Sequence, residues 1–476
     1  MTIEVPHIPW QRAVFCNRTL NLRSIKAIGY DMDYTLVQYH VVEWEELAYG
    51  YAKKRLLEQG WPVESLVFDP ELMIQGLIVD IELGNLIKAN RFGYVKTVFH
   101  GSHPLDFDQQ RKIYDRTLVD HRDGRFVFLS TMFSLSEACL FAQLVDLWDA
   151  GNLPAVLSYA DLYSRVRATI DDQHREGRLK EEVARNFERY VEIDPTVCET
   201  LLDQRDAGKK LLLITNSDWL YTRAVMQYAF DSFLPQGMTW RDLFDVVIVS
   251  ARKPDFFSSR SPLLEIVDDT LLREVSSDLI SGTVYFGGNA ALVERHLGLT
   301  GAQLLYVGDH FFGDVHATKI TLRWRTALVV REIEGDIKAE EDFADKQCKL
   351  DELMREKEDV ERQYCHVRML WQRLRKGRGG EDAKAFKQTV DELRGKLENL
   401  DHRIAPLAQA SSRLSNENWG PLMRAGNDKS YLANLVERHA DIYMSRVSNL
   451  YLETPFAYFR SARGTLPHDA PRRSAL

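Results

Sequence analysis

Asp31-Met32-Asp33-Tyr34-Thr35 places two carboxylates one residue apart, directly after a hydrophobic run. Only a tight turn after that run can bring both to a common site. Thr215-Asn216-Ser217-Asp218 ends a second run and offers hydroxyl, amide and backbone N–H donors. Lys253 follows a third, DVVIVSAR, with a fixed positive charge. Gly308-Asp309-His310-Phe311-Phe312-Gly313-Asp314 closes a fifth with the carboxylates of Asp309 and Asp314. Carboxylates, neutral donors and a lysine are the groups needed to move protons, hold a cation and grip a small anion. Taken alone, D-x-D-x-T is equally the pattern of a solvated loop or a helix cap. The order of all four stretches along the chain is the stronger signal.

The runs that must position these residues lie at 24–33, 209–218, 245–253, 283–289, 303–310 and 325–330. Four to six Val, Ile or Leu residues between helical stretches suit buried strands of a parallel sheet. Ligands of such α/β sheets gather beyond the carboxyl ends of the strands, where these polar residues fall. About 175 residues separate the first run from the second, far more than one crossover needs. An inserted cap domain over the site is therefore expected at 37–204. From 335 to 408 the chain becomes rich in Glu, Lys and Arg. Leu350, Leu353, Val360, Tyr364, Val367, Trp371 and Leu374 fall on an a/d pattern, with Lys357 interrupting it. After a Gly-rich stretch, Phe386, Val390, Leu393, Leu397, Leu400, Ile404 and Leu407 step by fours and threes. The expectation is an antiparallel, coiled-coil-like helical hairpin, either packed on itself or meeting a partner. The core is then 1–36, 205–334 and 409–460, with 461–476 a frayed tail.

Carboxylate pair, hydroxyl donor, lysine and second carboxylate pair on successive strand ends resemble the four motifs of the haloacid-dehalogenase (HAD) superfamily. The resemblance implies a HAD-like Rossmannoid α/β core and an Asp31 nucleophile that forms an aspartyl-phosphate. It implies Mg²⁺ held by Asp31, the backbone carbonyl of Asp33 and Asp309, because a carboxylate and a phosphate dianion repel. Asp33 would be the general acid and base, Thr215 and Asn216 donors to phosphoryl oxygens, and Lys253 a bridge between phosphate and nucleophile. Asp314 would orient Lys253 or a metal-bound water. Dehalogenases need no acid at the second aspartate, so Asp33 points to phosphoryl chemistry.

DMDYTL (31–36), TNSD (215–218), ARKPDFF (251–257) and GDHFFGD (308–314) are similar to the motifs of the cytosolic purine 5′-nucleotidase family. The similarity runs from about residue 10 to 330 and resumes at NWGPLMRAG (418–426), continuing to 459. In that family a V-R-x-x-x-D-x-x-H helix reads the purine, and Val166–His174 matches it here. The resemblance thus assigns substrate binding to Arg167, Asp171, His174 and Lys180, with Phe133 stacking on the base. Spacings of four and three do put Arg167, Asp171 and His174 on one helical stripe, which an exposed Arg–Asp pair would also explain. Arg175, Ser130 and Ser134 depart from the family, as do Ile320 and Leu435 near its activating-nucleotide region at Phe312. The expected activity is hydrolysis of IMP and GMP, with phosphate transfer to a second nucleoside. A phosphatase for another phosphomonoester, and a scaffold acting through the hairpin, are the alternatives.

Composition limits the rest. Against 61 Lys and Arg stand 70 Asp and Glu, a net charge of −9 that argues against a general nucleic-acid binder. Five cysteines without a CxxC pair suggest neither a disulfide framework nor a zinc knuckle. With no basic-then-apolar leader at MTIEVPHIPWQRAVF and no apolar run near ~18 residues, a cytoplasmic, non-membrane protein is expected. The family resemblance adds a homo-oligomer, commonly a tetramer.

Overall fold

All six runs become parallel strands, and a seventh joins them. They are β1 (Ala27–Tyr30), β2 (Lys210–Ile214), β3 (Val246–Val249), β4 (Val284–Gly287), β5 (Leu304–Gly308), β6 (Arg325–Val329) and β7 (Ile442–Met444). Across the sheet the order is β7-β6-β5-β1-β2-β3-β4, every neighbouring pair parallel. Antiparallel strands extend both edges: Phe15–Cys16 on β7, and Leu263–Ile266 followed by Leu272–Glu274 on β4. The computed structural model describes residues 7–153, 156–269, 271–275, 279–280, 282–378 and 383–464, the side chains of 173–176 and 383–384 excepted.

β1, β3 and β5 are buried at every position, which is why they read as unbroken apolar runs. Ala27, Leu212, Ile214, Val246, Ile248, Leu304, Tyr306 and Trp324 form the core on one face. The expected parallel α/β core is therefore the fold. β1 lies between β5 and β2, so the strands carrying Asp31, Thr215 and Asp309 are adjacent, with β3 and Lys253 next in line.

Residues 37–204 contain α1 (Val41–Glu58), α2 (Leu135–Asp149), α3 (Tyr159–Glu176) and α4 (Arg178–Arg185). A five-stranded antiparallel sheet, from Ile78–Asp80 to Phe126–Phe128, lies between α1 and α2 in sequence. One face of that sheet packs Ile78, Ile87, Val98 and Phe126 against Phe311, Tyr431 and Leu435. This segment shares one compact unit, Met1–Glu334 with Met423–Leu476, with the parallel sheet.

Gly335–Leu422 is the second unit. The helices α5 (Ile333–Arg375) and α6 (Ala383–Ser412) supply it, and residues 379–382, where a turn was expected, lie outside the described ones. Leu350, Leu353, Leu400 and Ile404 pack between the arms. Lys357, the interruption in the heptads, pairs with Asp401 at 2.6 Å, and Ser411 donates to Gln347. Both pairs sum to the same number, as an antiparallel register requires.

Candidate active site

The turn after β1 is built by the backbone. Thr35 and Val37 both donate to the Met32 carbonyl, and Tyr34 takes a left-handed φ of 52°. Asp31 stays in the sheet's register through its N–H to the Val307 carbonyl. Its carboxylate meets Lys253 Nζ at 2.8 Å, and the same ammonium meets Asp314 at 2.8 Å and the Tyr306 hydroxyl at 3.1 Å. Tyr306 is itself anchored to the Ile214 carbonyl. All four side chains are buried.

Two glycines make this approach possible. A Cβ on Gly308 would lie 2.4 Å from the Asp314 carboxylate, and one on Gly29 would lie 2.9 Å from the Tyr306 ring. Neither is tolerable without moving the cluster. Asp314 is also held locally, accepting from the His310 N–H at 3.1 Å.

Asp31, Asp309 and Asp314 each present a carboxylate oxygen within 4.8 Å of the others. Burial pushes the Asp31 carboxyl up to about 7, with Lys253 pulling it down and Asp314 pushing it further up. Asp309 is raised well above the carboxylate range by burial, then by Asp31 and Asp314. Burial disfavours the Lys253 ammonium, but Asp31 and Asp314 outweigh it and keep the lysine charged. Three buried carboxylates around one lysine are short of positive charge, and three hard oxygen donors suit Mg²⁺. The residues therefore fit the metal that the resemblance implied.

Asp33 faces elsewhere. Its two oxygens accept from Tyr39 and Ser217, each at 2.5 Å, and Tyr39 is linked to Tyr221 at 3.0 Å. Burial, then Asp33, lifts Tyr39 well above its ordinary pKa, so its hydroxyl keeps its proton. Thr215 is fully buried and its hydroxyl oxygen accepts from the Ser217 N–H. The Asn216 side chain is committed to the Lys253 backbone, accepting from its N–H at 2.6 Å and donating to its carbonyl at 3.1 Å. Of the donors expected at Asn216, the backbone N–H rather than the side chain is left for an anion. Asp314 was expected only to steer Lys253 or a water; it contacts Lys253 and also belongs to the carboxylate cluster.

The expected recognition residues lie on α3, on α4 and in the turn before α2. Arg167 reaches Asp171 at 3.4 Å and Glu137 at 3.2 Å. Phe133 sits edge-on to Tyr34, 4.7 Å between centroids, and to Trp44 at 5.5 Å. Lys180 donates to Ser217 at 2.5 Å and lies 4.9 Å above the Tyr221 ring, which brings it to the donor that holds Asp33. His174 belongs to α3, but its side chain is outside the described ones.

Ser217, Tyr39, Tyr306 and Glu137 were not singled out from the sequence. Ser217 stood inside the TNSD stretch, beside the residues that were. Tyr39 and Tyr306 read as core aromatics, and only depth shows that their hydroxyls need partners. Glu137 is a lone acid in the apolar stretch LSEACLFAQL, a signal that could have been taken up.

Comparison with known proteins places the chain. Two solved structures resemble it at low identity: CbbY from Rhodobacter sphaeroides in complex with phosphate, and a HAD phosphatase from Thermococcus onnurineus. The first is 14% identical with a TM-score of 0.24, covering 64% of this chain and 86% of that one. The second is 15% identical with a TM-score of 0.25, covering 64% and 87%. A 5′-nucleotidase domain-containing protein of Dictyostelium discoideum is 27% identical over 479 residues, spanning 98% of this chain and 77% of that protein. The profile of the 5′ nucleotidase family matches residues 14–471. Matched over nearly its whole length, the chain belongs to the 5′ nucleotidase family and is a phosphoric monoester hydrolase.

Proposed function

We propose that the protein is a Mg²⁺-dependent 5′-nucleotidase that prefers 6-oxopurine nucleoside monophosphates and works through a phosphoryl group carried on Asp31. The observation that carries this reading is the buried Asp31–Lys253–Asp314 contact, with Asp33 held separately by two hydroxyl donors. One carboxylate is thus available as nucleophile and a second, differently placed, as acid and base.

Asp31 attacks phosphorus and the bond to the nucleoside 5′ oxygen breaks, with Asp33 delivering the proton that oxygen needs. Asp33, now ionised, accepts a proton from the water that releases phosphate from Asp31. The Thr215 hydroxyl and the Asn216 N–H donate to phosphoryl oxygens, and Lys253 balances charge between phosphate and Asp31. Asp31, Asp309 and the Asp33 carbonyl, with Asp314 alongside, would hold Mg²⁺, which would supply the charge neutralisation that an anionic nucleophile needs to approach a dianion. Transfer of the phosphoryl group to a second nucleoside needs only a sugar hydroxyl in place of water. A cytoplasmic homo-oligomer, with the hairpin as an accessory, completes the reading.

Base preference follows from donor and acceptor types. Arg167 only donates and an ionised Asp171 only accepts, matching O6 and N1–H of hypoxanthine or guanine. Phe133 and His174 would complete the base contacts. Adenine reverses both positions, and each mismatch costs about 1–3 kcal/mol. Phosphate release from IMP, GMP, AMP and ribose 5-phosphate, with and without Mg²⁺, tests the reading. IMP and GMP should exceed AMP by roughly tenfold or more in kcat/KM. Equal or better cleavage of AMP would contradict it.

A further inference from the structure

Arg167 is half exposed, yet its inner edge is not free to wander. Nη1 points at Glu137, 3.2 Å from one carboxylate oxygen and 3.4 Å from the other. Glu137 lies in the first turn of α2 and is 2% exposed. Its remaining strong contact is the Tyr163 hydroxyl, which donates to Oε1 at 2.5 Å. Tyr163 and Arg167 are four residues apart on α3, so one carboxylate from α2 grips two successive turns of the recognition helix.

The alternative anchor is weak. Asp171 is 52% exposed at the side chain and meets Arg167 Nε at 3.4 Å. Such an exposed i,i+4 pair is too weak to hold a long side chain in one rotamer. A buried carboxylate is different, because losing its cation leaves an uncompensated charge. Glu137 therefore ties down Arg167 far more firmly than Asp171 does.

Glu137 is itself fixed from behind. The Ser136 N–H, one residue earlier at the open start of α2, donates to Glu45 of α1 at 2.7 Å. Tyr163 is locked by the Phe141 ring, 5.4 Å away and nearly perpendicular. Thus α1, α2 and α3 all bear on the placement of one guanidinium. Burial, then Glu137, raises the Tyr163 pKa, so the hydroxyl remains a donor.

We propose that Glu137, pinned by Tyr163, is the positioning residue that sets the Arg167 guanidinium for recognition of the 6-oxopurine edge. This rests on the base-reading role given to Arg167 under the proposed function. A merely structural Glu137 would lower all activities together when altered. A positioning Glu137 changes which base is chosen.

The experiment compares the native chain with Glu137→Gln and Tyr163→Phe, each checked for a native circular dichroism spectrum and melting transition. The kcat and KM of all three are measured on IMP, AMP and ribose 5-phosphate. Glu137→Gln should lose roughly tenfold in kcat/KM on IMP, chiefly through KM, with the IMP-to-AMP ratio falling toward one. Ribose 5-phosphate, which has no base, should be affected far less than IMP. Tyr163→Phe should move the ratio in the same direction by a smaller factor, and it serves alone where the glutamine variant fails to fold. A native chain with no IMP preference would overturn the base-reading role and this proposal with it. A native preference that survives in the folded variants, or an equal loss on ribose 5-phosphate and IMP, would overturn this proposal alone.

Discussion

Two charged clusters built on buried aspartates border the same parallel sheet and are treated in opposite ways. Asp441, just before β7, is a single carboxylate among three cations: Arg18 at 2.9 Å, Lys319 at 2.7 Å and Arg325 at 3.0 Å. Burial pushes its pKa up, but the hydrogen bonds from Arg325, Lys319 and Arg18 outweigh this and hold it down at about 2. At the other ends of the strands, Asp31, Asp309 and Asp314 crowd around Lys253, and Asp31 is pushed up to about 7. The first group is a closed electrostatic joint between the N-terminal segment, the segment after Asp314 and β7. The second is a set of carboxylates short of cationic charge, a donor set that fits a metal ion.

The contrast breaks most visibly at Asp309. Asp309→Asn removes a carboxylate from the cluster but touches neither Asp31 nor Asp33 directly. Mg²⁺-dependent phosphate release should fall on the order of 10²–10³-fold, a loss of the size seen when one charge-stabilising group is removed. The native chain should also melt at higher temperature with Mg²⁺, by about 2.7 kcal/mol at a hundred times its dissociation constant. Asp309→Asn should lose most of that gain. A native chain whose melting ignores Mg²⁺ would show that the charge deficit is not what the ion answers.

Asp441→Asn tests the other side and should act on stability rather than on chemistry. It strips the counter-charge from three partly buried cations and should cost about 3 kcal/mol in urea unfolding near neutral pH. Because the folded pKa of about 2 lies below the ordinary 3.8, the native contribution is complete above pH 4. It is lost as the pH falls from about 4 to 2, so the native and variant curves should converge there. A gap that stays constant through that window would mean that the joint is not electrostatic.

The parallel sheet was legible because strands buried on both faces leave unbroken apolar runs that end in polar residues. β7 was not, since Ile442–Met444 is three residues long and earns its place only by pairing with β6. The antiparallel sheet of residues 78–128 was missed for a related reason. Its strands are short, and Phe311 and Tyr431 from distant sequence cover one face. In the site, Asp31, Lys253 and Asp314 were legible as types at strand ends, and the structure brings them within hydrogen-bonding distance. Sequence carries no depth, however. Nothing in LLYVG tells that the Tyr306 hydroxyl supports Lys253, or in LSEACL that Glu137 sits beneath Arg167. Asn216 was legible as a donor but not as the clamp on the Lys253 backbone.

The central claim is that Asp31 carries the phosphoryl group. Acid quenching of the native enzyme during turnover of IMP with Mg²⁺, followed by peptide mass spectrometry, tests it most directly. The peptide bearing Asp31 should be phosphorylated in the quenched native sample. Asp31→Asn, folded, should show no such adduct, with turnover reduced on the order of 10⁴-fold or more. A phosphoryl group trapped on another residue, or a folded Asp31→Asn protein that still turns over IMP at the native rate, would contradict the account.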